Sequence, residues 1–242
     1  MTLNEESCLA ACLKSLNWCD AIVVGDTGST DATKSIAKEY GAVILDVKFE
    51  GFGKTRNKII DQIDSDWIIC FDADEICSES LKQEILLNIY KNDCTALIAP
   101  RQNFLLGKKI KFSGWNPDFR HPVAFKKNDC KYSEKILHET LDVKGETMRL
   151  KSSFDHHSYP TLTSYMHKVT KYSELGADEL IRKKKKVSMG KAAFHSCYKF
   201  IKHYFLNLGI LDGWAGLIIA ITSAYGTFFK YSIAFEKSKK IK

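Results

Sequence analysis

Short apolar runs alternate with amphipathic stretches along the first hundred residues. Cys8, Leu9, Cys12, Leu13 and Leu16 recur at helical spacing, and Asn4 is placed to cap the helix they predict. Asp20 to Gly25 is a short apolar run that suits a buried parallel strand. The loop Asp26 to Asp31 follows it, with Thr30 or Asp31 expected to cap a second helix. That helix should end at Tyr40-Gly41, where Gly41 can take the left-handed position just past the end. Ala42 to Val47 predicts a second strand, and Gly51-Phe52-Gly53 leads into a helix carrying Arg56 and Asn57. Asp66 to Phe71 predicts a third strand, Ser78 or Glu79 opens the next helix, and Ala96 to Pro100 predicts a fourth strand. Such alternation implies an α/β fold: a mostly parallel, doubly wound sheet with helices on both faces.

Beyond residue 101 the alternation stops. Gly107, Gly114-Trp115-Asn116-Pro117 and Asn128-Asp129 punctuate short strands, which suggests an antiparallel extension over the sheet. Helical periodicity returns after His157, at roughly 161–181, 191–208 and 213–235. The expected organisation is a domain over residues 1–157 and a helical, basic and apolar region over 158–242.

Composition changes this picture in one respect. The formal net charge is +7, but it is unevenly spread. Residues 1–150 hold 20 Lys and Arg against 23 Asp and Glu, whereas residues 151–242 hold 16 against 6. Nucleic acid and anionic membrane are the usual partners of such a basic half. No zinc finger, RNP-like aromatic motif or helix-turn-helix is present, so nucleic acid is disfavoured. Arg182 to Lys186 instead precedes an apolar run, Trp214 to Phe229. That run is shorter than the roughly 20 residues a spanning helix needs, and interfacial helices on an anionic leaflet fit better. The eight cysteines show no metal-type or CxxC spacing and read as reduced thiols in a cytoplasmic setting.

The candidate chemistry clusters at strand ends. Asp72-Ala73-Asp74-Glu75 sets three carboxylates within four residues after an apolar strand. Like charges this close raise one another's pKa unless a cation lies between them. A hard divalent ion on a phosphate-bearing substrate answers that, and the carboxyl end of a strand is where open α/β sheets bind ligands. The plain alternative is a solvated acidic turn capping the following helix. Asp26 to Asp31 (DTGSTD) offers a tight turn and hydroxyls at a helix start, and it is neither a Walker loop nor GxGxxG. Arg56 could reach a base or a phosphate, or form a surface ion pair. Glu139, beside His138, could act as general base. Of His156 and His157, adjacent on a strand, at most one can face a shared site. Trp115 could stack on a sugar or fill the core.

Taken in order, Thr2-Leu3-Asn4-Glu5-Glu6, Val24-Gly25-Asp26-Thr27-Gly28-Ser29-Thr30-Asp31, Arg56-Asn57, Phe71-Asp72-Ala73-Asp74-Glu75 and His138-Glu139 form a recognisable series. It resembles the family 2 inverting glycosyltransferases of GT-A fold, and most closely the lipopolysaccharide-core β-1,4-glucosyltransferase group. That group shares Gly114 to Asp118, His156 to Tyr159 and Gly209-Ile210-Leu211-Asp212-Gly213. The resemblance implies nucleotide-sugar binding by Asn4, Glu5, Asp26, Ser29, Arg56 and Asp72. It implies Mg²⁺ or Mn²⁺ on Asp74, with His156 a weaker ligand, and Glu139 as the base that deprotonates the acceptor hydroxyl.

The implied activity is metal-assisted single displacement of a hexose, glucose in the first instance, from a UDP-sugar to a lipid-linked saccharide such as lipopolysaccharide inner core. The implied setting is the inner face of the cytoplasmic membrane, held peripherally. The family's Thr-Leu-Asn-Glu-Glu normally follows a full central strand, of which only Met1-Thr2-Leu3 is present here; that points to a start upstream of Met1. The alternatives are a degenerate membrane-bound scaffold and a sugar nucleotidyltransferase. The latter needs an N-terminal Gly-rich loop with a basic residue, which is absent.

Overall fold

The computed structural model describes residues 1–116, 118–119, 122–133 and 140–240. In chain order the elements are α1 (Leu9–Ser15), β1 (Val23–Asp26), α2 (Thr33–Glu39), β2 (Val43–Asp46), α3 (Phe52–Ile60), β3 (Trp67–Ile69), β4 (Glu75–Ile76), α4 (Glu79–Lys91) and β5 (Ala96–Ile98). There follow β6 (Arg101–Leu105), β7 (Lys108–Lys109), β8 (Pro122–Lys126), β9 (Cys130–Tyr132), β10 (Leu141–Val143), β11 (Thr147–Arg149) and β12 (Phe154–His156). Three longer helices close the chain: α5 (Leu162–Arg182), α6 (Met189–Ile201) and α7 (Trp214–Lys240). They fall into two compact units, Met1–Arg101 with Asp118–His156, and Gln102–Pro117 with His157–Lys242.

In the first unit β1 pairs with β2 in parallel, from Val23 opposite Val43 to Asp26 opposite Asp46. A second ladder runs β11-β5-β8-β3, parallel between β11 and β5 and antiparallel at both pairings of β8. Two small antiparallel ladders, β9 with β10 and β4 with β12, also belong to this unit, and Arg101 makes an antiparallel bridge with Asp118. Thr2 makes a single parallel bridge with Asp26: its N–H donates to the Gly25 carbonyl at 2.8 Å, and its own carbonyl accepts from Thr27 at 3.0 Å. The main core gathers Cys12, Phe71, Leu97 and Phe154 with Leu81 and Ile85 of α4. Leu81 and Ile85 stand one turn apart and are fully buried, each contributing roughly 1.5–3 kcal/mol of transfer free energy.

Helix boundaries follow the local signals with two exceptions. Ser78 caps α4 by accepting from the Leu81 N–H, and Gly41 ends α2 at φ 72°. Asn4, expected as a cap, lies instead at φ 56°, and α1 begins only at Leu9. Asparagine tolerates the left-handed region, so the residue serves a turn whose side chain accepts the Thr30 N–H at 2.9 Å. Likewise α2 starts after Ala32, and Asp31 accepts from the Thr33 N–H from one residue outside the cap position.

In the second unit β6 and β7 form a hairpin around Gly107, which holds φ 75°. Asp212, 3% exposed, ties the segment after that hairpin. Its Oδ1 accepts from the Lys111 N–H, while its Oδ2 accepts from the Phe112 N–H and the Ser113 hydroxyl. Trp115, half-buried, packs with Tyr159 and Tyr165 against the core formed by Leu105, Ile110 and Ile219.

Helix α7 lies along α5 and α6. A Cβ on Gly216 would stand 1.8 Å from the Gly209 carbonyl oxygen, so only glycine permits that approach. At 27 residues, about 40 Å at 1.5 Å per residue, α7 outruns the expected apolar segment. By length and composition (mean hydropathy 1.3) it can cross a membrane. Near its polar end Lys237 pairs with Asp178 of α5 at 2.5 Å.

Candidate active site

The turn after β1 is organised from within. Asp26 is 1% exposed, and its Oδ1 accepts from the backbone N–H groups of Gly28 and Ser29 while its Oδ2 accepts from the Thr2 hydroxyl. Burial works against its charge, but the bonds from Ser29, Gly28 and Thr2 outweigh it and hold the carboxyl below its ordinary value. The segment before α1 closes over this turn: the Asn4 N–H donates to the Ser29 hydroxyl at 2.9 Å, and the Glu5 N–H donates to Thr33 Oγ1 at 2.8 Å. Asn4, Glu5, Asp26 and Ser29, four of the expected nucleotide-binding residues, thus meet in one bonded loop cluster.

The end of β3 supplies the acidic loop. Arg56, on α3, reaches across to it: one terminal nitrogen donates to Asp72 Oδ1 at 2.6 Å and the other to the Cys70 sulfur at 3.1 Å. Its guanidinium carbon stands 5.4 Å from the centre of the Tyr132 ring. Arg56 is therefore neither a surface ion pair nor isolated; it fixes the outward carboxylate of Asp72, whose side chain is 45% exposed.

Glu75 is no solvated cap residue. It is 7% exposed on β4, and its Oε2 accepts the Asp72 N–H at 2.9 Å. Burial, reinforced by the Asp72 charge, pushes its carboxyl up to about 8. Arg101, 3.9 Å from Glu75, also makes two bonds to Asp118 Oδ2, at 3.0 and 2.5 Å. Sequence reading passed over Arg101, because nothing local marks an arginine whose partners lie 17 and 26 positions away. Arg56, Asp72, Glu75, Arg101 and Tyr132 line a cavity of about 30 Å³, roughly one water molecule's volume, which is far too small for a nucleoside.

His156 on β12 presents its Nε2 3.5 Å from Asp74 Oδ2. His157 points the other way and stacks on Phe104 at 4.3 Å, as alternation along a strand requires. Glu139 and His138 lie outside the described residues. Among the described residues no three His, Cys, Asp or Glu side chains converge as a complete metal cage. Asp74 and His156 offer one oxygen and one nitrogen, the share a protein contributes when phosphate oxygens and water complete the ion's shell. They fit a divalent ion carried with a diphosphate.

The arrangement is an acidic strand end fixed by an arginine beside a hydroxyl-rich turn. The family model described as Glycosyl transferase family 2 matches residues 1–154. An uncharacterized glycosyltransferase of Rickettsia typhi is 25% identical over 260 residues, covering 99% of this chain and 86% of the relative. The lipopolysaccharide core biosynthesis glycosyltransferase LpsC of Rhizobium meliloti is 26% identical over 249 residues, covering 97% of this chain and 90% of the relative. Among solved structures, S. aureus TarS 1-349 in complex with UDP-GlcNAc is 15% identical, with a TM-score of 0.48 over 99% of this chain and 90% of that one. A likeness at that level carries no argument about function. The match over residues 1–154 does: the chain belongs to glycosyl transferase family 2 and is a glycosyltransferase of GT-A fold.

Proposed function

We propose that the protein transfers a hexose from a UDP-sugar to a lipid-linked saccharide by inverting, metal-assisted single displacement. The observation that carries this reading is the paired setting of Asp72 on Arg56 and Asp74 beside His156 at one strand end. Asp74 and His156 would hold Mg²⁺ or Mn²⁺, which neutralises charge growing on the departing diphosphate. Asp72 keeps an exposed oxygen edge for a ribose hydroxyl while Arg56 fixes its direction. The Asp26 turn, closed by Asn4, Glu5 and Ser29, would lie against the base. Glu139 is assigned as the base that takes the acceptor's hydroxyl proton, on the strength of the motif it stands in. LpsC's role in lipopolysaccharide core biosynthesis supports an acceptor of that class, and glucose as the donor sugar rests on the sequence resemblance alone. The basic residues and exposed apolar side chains of the helical unit support a peripheral place on the inner face of the cytoplasmic membrane.

Calorimetric titration of UDP with and without Mn²⁺ tests the reading, alongside turnover of UDP-glucose. Mn²⁺ should tighten UDP binding to the native protein, and Asp74→Ala should remove both that effect and turnover. UDP binding that ignores the metal in both proteins overturns the assignment.

A further inference from the structure

The helical unit contains a groove whose lining residues are none of those at the acidic strand end. Helices α5, α6 and α7 border this open groove of about 310 Å³. Among the described residues its lining holds Lys168, Lys199 and Lys230, one from each helix, with Tyr172 and Ser223, and no carboxylate. Lys168 also donates to the Ser158 carbonyl at 3.3 Å, and the Lys230 ammonium stands 5.3 Å from the centre of the Tyr231 ring. Further along α5, Asp178 is paired with Lys237 and Glu179 with Lys183. Burial, with the charges of Lys202 and Lys230, pushes the Lys199 ammonium below its ordinary pKa. Three lysines and the hydroxyls of Tyr172 and Ser223 around a concave site suit a doubly charged, oxygen-rich anion. On the opposite face of α7, Trp214, Leu217, Ile221, Tyr225 and Phe228 are exposed at helical spacing.

We propose that this groove binds a phosphomonoester or diphosphate group, a chemistry shared by phosphorylated lipid headgroups and free phosphates. The site is separate from the donor site and does not depend on the transfer reaction. Removing it should leave metal-coupled UDP binding intact, so this proposal and the donor assignment fail independently.

The test uses the full chain. Co-sedimentation with phosphatidylcholine vesicles, with and without phosphatidic acid, is run beside calorimetric titration with inorganic pyrophosphate. The triple variant Lys168→Gln, Lys199→Gln, Lys230→Gln is compared with Lys184→Gln, Lys185→Gln, Lys186→Gln, which removes equal charge from the basic run after α5. The groove variant should lose about tenfold or more in affinity for one or both probes, and the control should keep it. Loss confined to phosphatidic acid vesicles identifies a lipid headgroup, and loss extending to pyrophosphate identifies a free anion as a ligand too. Equal losses in both variants, or none in the groove variant, overturn the proposal. Should circular dichroism find the triple variant unfolded, Lys230→Gln alone carries the same comparison.

Discussion

The guanidinium of Arg56 donates to the carboxylate of Asp72 at 2.6 Å, while the backbone N–H of Asp72 donates to Glu75. One residue is thus held by its side chain from α3 and by its main chain from β4. Removing the arginine frees the carboxylate to rotate. We expect Arg56→Met to lower kcat/KM for UDP-sugar turnover by about 10- to 100-fold, with Arg56→Lys recovering only part because lysine lacks the planar fork. Steady-state kinetics at saturating metal checks this.

His156 should matter less than Asp74, since an imidazole ligand brings no negative charge to the ion while a carboxylate does. His156→Ala is expected to raise the Mn²⁺ concentration needed for half-maximal turnover by about tenfold, with kcat restored when the metal is in excess. A kcat that stays low at every metal concentration would assign the imidazole a different task.

Asp26 makes stability depend on acid. Its folded pKa lies below the ordinary 3.8, so the carboxylate contributes stability that is present above that value and fades as pH falls through the folded pKa. Asp26→Asn keeps one acceptor and loses the charge. The native protein should therefore be the more stable at pH 7, by about 1–3 kcal/mol, and the gap should narrow below pH of about 4. Thermal melts of both proteins across that range measure it.

In the helical unit the sharpest constraints are a buried carboxylate and a glycine. Asp212→Ala strands the Lys111 and Phe112 N–H groups and the Ser113 hydroxyl, and should cost roughly 2–5 kcal/mol in denaturant unfolding.

Gly216→Ala should destabilise by about 1–3 kcal/mol despite alanine's better helix propensity, because the new methyl would meet the Gly209 carbonyl. A melting temperature equal to that of the native protein would mean the turn yields freely.

Much of this was legible in sequence where cause and effect are close together. Gly41 and Ser78 marked helix ends because their signals act within a few residues, and the acidic strand end announced itself through crowding. Asn4 misled for the same reason in reverse: an asparagine before a periodic apolar run reads as a cap, yet its tolerance of positive φ let it serve the Thr30 turn instead. Arg101 and the three groove lysines could not be read, since each acquires its meaning from residues brought near only by folding. The expected helix over roughly 213–235 is present as α7 and runs on to Lys240.

Each residue advances an α-helix by about 100°, so the outward row from Trp214 to Phe228 and the inward row ending at Lys230 are locked in a single angular phase. Deleting one residue from α7 between Gly216 and Thr222 would turn the preceding segment through a quarter of a circle relative to the rest. Changes of length there are tolerable only in steps of about seven residues, or two full turns. The helix therefore behaves as a ruler with one permitted pitch: neither row can be moved without moving the other.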